Sequence, residues 1–101
     1  MKPILFEWYQ DLCKAWPTEE TIRLKISNDI DDLGLYYYDT RTIHINGNAE
    51  THTQIETLIH EYAHALDMDE HGYTDDCHRE TWEDKYIVLL ATGVSCAHGV
   101  N

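Results

Sequence analysis

The chain has few of the residues that mark unusual architectures. Two prolines and five glycines in 101 residues exclude collagen-like and low-complexity sequence and leave no visible linker. Three cysteines, Cys13, Cys77 and Cys96, form no CxxC pair and are odd in number, so a disulfide framework is not expected. Cys13 reads as a small apolar group packed on a helix. No apolar run approaches the roughly 18 residues needed to span a bilayer. Met1 to Phe6 meets Glu7 too early for a signal-peptide apolar region, so the expectation is a cytoplasmic protein that crosses no membrane. Basic residues are also scarce: 7 Lys and Arg against 19 Asp and Glu give a net charge of −12. Affinity for nucleic acid comes mostly from neutralising phosphates, and this balance opposes it.

What remains is a chain with the composition of a globular protein, 43% apolar, and of a length that suits one domain over residues 1–101. The acids are unevenly spread. Residues 1–30 hold five acids and four bases, whereas residues 67–84 hold eight acids and only Arg79. That segment reads as a solvated acidic loop, or as an acidic field beside a metal or a basic partner surface.

Periodicity predicts an α+β fold. Ile4, Leu5, Trp8, Tyr9, Leu12, Cys13 and Trp16 recur at helical spacing, giving a helix over 3–16 that Pro17 ends. Residues 21–27 alternate as a half-buried strand. Leu35 to Tyr38 and Thr42 to Asn46 flank Asp39-Thr40-Arg41 as a hairpin, with Ile43 and Ile45 inward and His44 outward. The expectation is a small three-stranded antiparallel sheet. Ile55, Leu58, Ile59, Tyr62, Ala63 and Leu66 mark a second helix over 52–67, with a capping box at Thr51/Gln54 or Thr53/Glu56. A last helix is expected from about Cys77 to Ala91, capped by Asp75 or Asp76, stopped at Gly93, with Trp82, Tyr86, Leu89 and Leu90 inward.

The second helix carries His60-Glu61-Tyr62-Ala63-His64, an HExxH pattern. Residues four apart share a helix face, so both imidazoles can reach one Zn2+ ion. Glu61 is one step round the helix, where it can take a proton from a water at the ion without ligating the ion itself. Zinc hydrolases usually use three protein ligands. The candidates downstream are His71, Cys77, His78, Glu80 and Glu83. The long metzincin pattern fails, because Asp67 and Glu70 stand where it requires Gly and His. His78 begins the last predicted helix, and a helix folded back on the first can present it to the metal.

Two stretches together, His60-Glu61-Tyr62-Ala63-His64-Ala65-Leu66 and His78-Arg79-Glu80-Thr81-Trp82, resemble the SprT-like zinc peptidases and, more broadly, minigluzincin-type metallopeptidases. Thr57-Leu58-Ile59 before the motif and the hairpin ending Ile43-His44-Ile45-Asn46 also look like family sequence. The resemblance covers about residues 34–90 and departs at Arg79, where the family usually has Gly. It implies a minimal zincin-like fold and a zinc-dependent peptidase. His60, His64 and His78 would be the metal ligands and Glu61 the catalytic base and then acid. The partner would be a protein or peptide substrate, paired as an extended strand along an edge at residues 43–46. Tyr62, Tyr73 and Tyr86 are candidate oxyanion donors. Family members that act on DNA carry basic DNA-binding parts; a charge of −12 gives no ground for carrying that over. Two other classes compete: a zinc-stabilised binding module without turnover, and an acidic inhibitor that mimics nucleic acid.

Overall fold

The alternation around Ile22 and around Ile43 becomes a sheet, but its pairing is not the expected one. The computed structural model describes residues 3–73 and 80–96, with side chains over 4–73 and 80–89. The order is α1 (Pro3–Ala15), β1 (Arg23–Ser27), β2 (Gly34–Tyr37), β3 (Thr42–Asn46), α2 (Thr51–His71) and α3 (Glu80–Cys96), an α+β architecture. The strand order is β1-β3-β2. β2 and β3 form the expected antiparallel hairpin, with Tyr37 opposite Thr42 and Gly34 opposite Ile45. β1 runs parallel to β3, Arg23 opposite Thr42 and Ser27 opposite Asn46, so the sheet is mixed rather than wholly antiparallel.

The cause lies in residues 28–33, which cross the end of β3 instead of turning back beside β1. Asn46, the last residue of β3, holds that crossing. Its side-chain amide donates to the carbonyls of Ile30 and Asp32, both at 3.2 Å, and its backbone N–H donates to Leu33 at 2.9 Å. Gly47 N–H donates to Ser27 at 2.8 Å, and Asn48 reaches the Asn28 carbonyl at 3.1 Å. A parallel pair needs a crossover of a dozen or more residues. Here it is the loop, β2 and the hairpin turn together.

α2 crosses one face of the sheet and is the centre of the core. Leu58, Ile59, Tyr62, Ala63, Ala65 and Leu66 cluster with Ile43 and Ile45 of β3, Leu5 and Leu12 of α1, Ile22, and Trp82 and Leu89 of α3. The Tyr62 hydroxyl donates to the Trp16 carbonyl at 2.9 Å, and the Tyr9 hydroxyl donates to Ile22. These bonds tie α1 and the segment after it to the rest. Ile4, predicted inward, is exposed, as is Phe6.

α2 is longer than its periodicity suggested. It starts at Thr51 with Glu50 as N-cap and no side-chain capping bond, so neither predicted capping box forms. Gln54 is instead buried, its amide donating to Gly47 and Ala49 at 3.3 and 2.8 Å. At the other end the helix continues past Leu66 to His71, and Asp67 and Met68 are buried. Gly72 ends it at φ 84°, a left-handed value that favours glycine, and its N–H donates to Met68 at 2.8 Å. The acidic stretch from Asp67 to Glu70 is therefore helical, not loop. Asp69 accepts both guanidinium nitrogens of Arg41, at 2.6 and 3.0 Å, and Glu70 pairs with Lys85 of α3.

α3 runs through Gly93 to Cys96, so Gly93 does not stop it. Of the four residues expected inward, Trp82 and Leu89 are buried and Tyr86 is half-buried, while the side chain of Leu90 lies outside those described. The proposed caps Asp75 and Asp76, with Cys77, His78 and Arg79, lie outside the described residues. No described helix is long and apolar enough to cross a membrane.

Candidate functional site

The two histidines of HExxH meet at their tips. His60 and His64 stand one turn apart on α2, and their Nε2 atoms are 3.3 Å from each other. Two imidazole nitrogens at roughly 2.0–2.1 Å from one tetrahedral ion would be about 3.3–3.4 Å apart, so this pair already has the separation that zinc requires. His64 is 6% exposed and His60 half-buried, which holds both rings against the protein while their tips face the cleft described below.

An aromatic wall from α3 fixes those rings. Trp82 stacks on His64, with centroids 5.0 Å apart and planes at 18°, and meets His60 edge-on at 4.9 Å. Its indole N–H donates to the His60 carbonyl at 3.4 Å. Tyr86 stacks on Trp82, centroids 5.1 Å apart, and meets His60 in a T-shaped contact at 5.5 Å. The helical period that predicted Trp82 as core cannot say that its face would meet an imidazole.

Glu61 faces the same space and is 8% exposed. Burial, and secondly the charge of Asp32, pushes its carboxyl up from the ordinary 4.5 to about 7. A carboxyl with that value can both accept and return a proton near neutral pH. Asp32 has no sequence motif. It is near Glu61 because Asn46 pins the crossing loop beside α2.

These groups line a cleft of about 790 Å³. One wall is Asp32, Leu33 and the strand β2; the floor is the α2 face from Thr53 to Met68; Tyr73 and Tyr86 also line it. β2 lies so close to α2 that a Cβ on Gly34 would fall 2.4 Å from Thr57 Cγ2. The strand along the cleft is therefore β2. The expected one, residues 43–46, is the central strand with both sides paired, so it offers no edge to a substrate. His44 does face away from the core, its ring edge-on to Tyr37 at 4.7 Å; burial and the charge of Lys25 lower its pKa.

The tyrosine candidates separate. Tyr62 is 1% exposed with its hydroxyl committed to the Trp16 carbonyl just after α1, so it cannot serve as an oxyanion donor in the cleft. Tyr73 and Tyr86 line the cleft, and so does Tyr36, whose buried hydroxyl has no hydrogen-bond partner among the described residues. Burial pushes the Tyr36 hydroxyl up to about 12.

No third candidate ligand joins His60 and His64 among the described residues, where no group of three His, Cys, Asp or Glu comes together. His71 is the last residue of α2, seven positions beyond His64. At 1.5 Å rise per residue that is about 10 Å further along the axis, too far for one ion. Glu80 and Glu83 are on the first turn of α3 and exposed. His78 and Cys77 lie outside the described residues. Comparison with protein-family models, with curated proteins and with solved structures returns no match to this chain.

Proposed function

We propose that this chain is a small zinc-dependent metallopeptidase, with His60, His64 and His78 as ligands and Glu61 as the catalytic acid–base. The observation that carries the reading is the His60–His64 pair, Nε2 atoms 3.3 Å apart, beside a buried Glu61 in one cleft. His78 is the natural third ligand. It stands four residues before Trp82, and Trp82 already packs on both imidazoles.

A bound zinc ion would polarise the scissile carbonyl and lower the pKa of water to about 7. The chain's own residues do the rest. Glu61 takes the proton of the attacking water and passes it to the leaving amine. Trp82 and Tyr86 hold the imidazole planes. The outer edge of β2 pairs with an extended substrate by strand addition, which keeps the scissile bond over the imidazoles. Glu61 within the cleft favours turnover over a purely structural zinc module.

The test is elemental analysis and peptide cleavage on the parent chain, Glu61→Gln and His78→Ala. About one zinc per chain is expected in the first two, with cleavage only in the parent, and weakened zinc binding in His78→Ala. Cleavage retained by Glu61→Gln removes Glu61 from its role. A parent chain that binds no zinc ends the metallopeptidase reading.

A further inference from the structure

The cleft is not uniform from end to end, and its two ends differ in chemistry. Its floor follows α2, so positions along the helix give positions along the cleft. Thr53 and Glu56 lie before His60, and Met68 lies one turn beyond His64. β2 runs in the same sense. Gly34 packs against Thr57, whereas the Tyr36 hydroxyl is close enough to Asp69 and Arg41 to feel their charges. Asp32 and Leu33, just before β2, therefore stand at the Glu56 end, and Tyr36 at the Met68 end.

At the first end the charged groups are Asp32, in the loop before β2 and near enough to Glu61 to act on its charge, and Glu56, on the α2 floor. Both are exposed, and neither is in an ion pair among the described residues. The described lining contains no Lys or Arg. At the second end Met68, Tyr36 and Tyr73 give an apolar and aromatic surface. Met68 is 9% exposed, and Tyr73, 60% exposed, is in ring contact with Tyr38 at 5.4 Å. Glu56 and Met68 are twelve residues apart, about 18 Å along the helix. An extended peptide covers that span with about five or six residues at roughly 3.3 Å each. The imidazole pair lies midway.

We propose that the cleft selects an extended peptide of two-ended character, with a Lys or Arg side chain between Asp32 and Glu56 and a bulky apolar side chain against Met68, Tyr36 and Tyr73, about two to three residues to either side of the scissile bond. This rests on the peptidase reading above and adds the substrate class. The two ends are independent requirements. Charge favours the basic residue at one end and sets no direction by itself; the apolar surface at the other end fixes which way the peptide lies. An acidic peptide meets like charge from both Asp32 and Glu56 at the first end.

The experiment measures binding of fluorescein-labelled peptides to the zinc-loaded Glu61→Gln chain by anisotropy, and cleavage of the same peptides by the parent. Three probes share an Ala-Ala centre: one with Lys at one end and Phe at the other, one with Glu replacing Lys, and one with Ser replacing Phe. The Lys/Phe peptide is expected to bind about tenfold tighter than either other probe. Its advantage over the Glu probe should shrink between 0.05 and 0.3 M NaCl, set against a Debye length of about 8–10 Å at 0.1–0.15 M. Asp32→Asn with Glu56→Gln, both at exposed positions, should erase the preference for Lys and keep the preference for Phe. Met68→Ser should do the converse. Binding of all three peptides with equal affinity overturns the proposal and leaves the peptidase reading intact. Failure of every peptide to bind or be cleaved sinks the peptidase reading, and this inference falls with it.

Discussion

Glu61 carries a cost that the metal-free protein should reveal. The residue is 8% exposed and its carboxyl is held at about 7, above its ordinary 4.5, chiefly by burial. The folded chain thus keeps a proton that the unfolded chain loses. The stability of the metal-free protein should therefore fall as pH rises from about 4.5 and level off above about 7, where both states are ionised. Glu61→Gln removes this term. With chelator present, the variant should be more stable than the parent by about 3 kcal/mol at pH 8, and the two should converge near pH 4.5. Urea unfolding at both pH values measures it. Equal stability at pH 8 would mean that the carboxylate is solvated and that Glu61 is not a proton acceptor tuned to neutral pH. The pairing of His60 with His64 was legible in the sequence because helical spacing alone puts i and i+4 on one face. The role of Asp32 was not, because nothing local connects residue 32 to residue 61.

At the scale of elements, β2 matters most, since it forms the wall of the cleft. Gly34→Ala adds a methyl 2.4 Å from Thr57 Cγ2 and 3.0 Å from the His44 carbonyl. Overpacking of this kind costs about 1–3 kcal/mol, and it should push β2 off α2 and widen the cleft. Thr57→Ser deletes the Cγ2 that the new methyl meets, so the double variant should regain a large part of the loss. A thermodynamic cycle over the four proteins, read by denaturant unfolding, isolates the coupling. Additive losses would mean that β2 and α2 are less tightly apposed than the structure has them. The same scale shows what a pattern can carry. Alternation and helical period located all six elements and the hairpin, because each depends on residues close in sequence. The partner of β1 did not follow from any such pattern. Its direction depends on Asn46 holding the carbonyls of Ile30 and Asp32, a long-range set of hydrogen bonds made by a residue that alternation treats as merely polar. The end of α2 was misjudged for a related reason. Buried Asp67 interrupts the apolar stripe although the helix continues to His71.

Across the whole molecule the surplus of twelve negative charges sets two opposing responses to salt. Like charges on a small folded chain repel, and screening them favours the compact state. Screening also weakens the ion pairs, of which Arg41–Asp69 and Lys85–Glu70 fasten the second half of α2 to the hairpin turn and to α3. Partly exposed pairs are worth about 0–1 kcal/mol each, so two of them are a small sum beside the repulsion of the surplus. The metal-free protein should therefore gain thermal stability between 0.02 and 0.3 M NaCl, by several degrees, at about 4–8 °C for each kcal/mol in a chain of this size. Melting curves in chelator at fixed pH test it, with NaCl chosen because strongly excluded salts such as sulfate stabilise by another route. A falling midpoint would show that the bidentate Arg41–Asp69 pair, with the Arg41 side chain 16% exposed, outweighs the field. Arg41→Gln should then reverse the slope. A rising midpoint that Arg41→Gln leaves unchanged in slope assigns the response to the acidic surface as a whole.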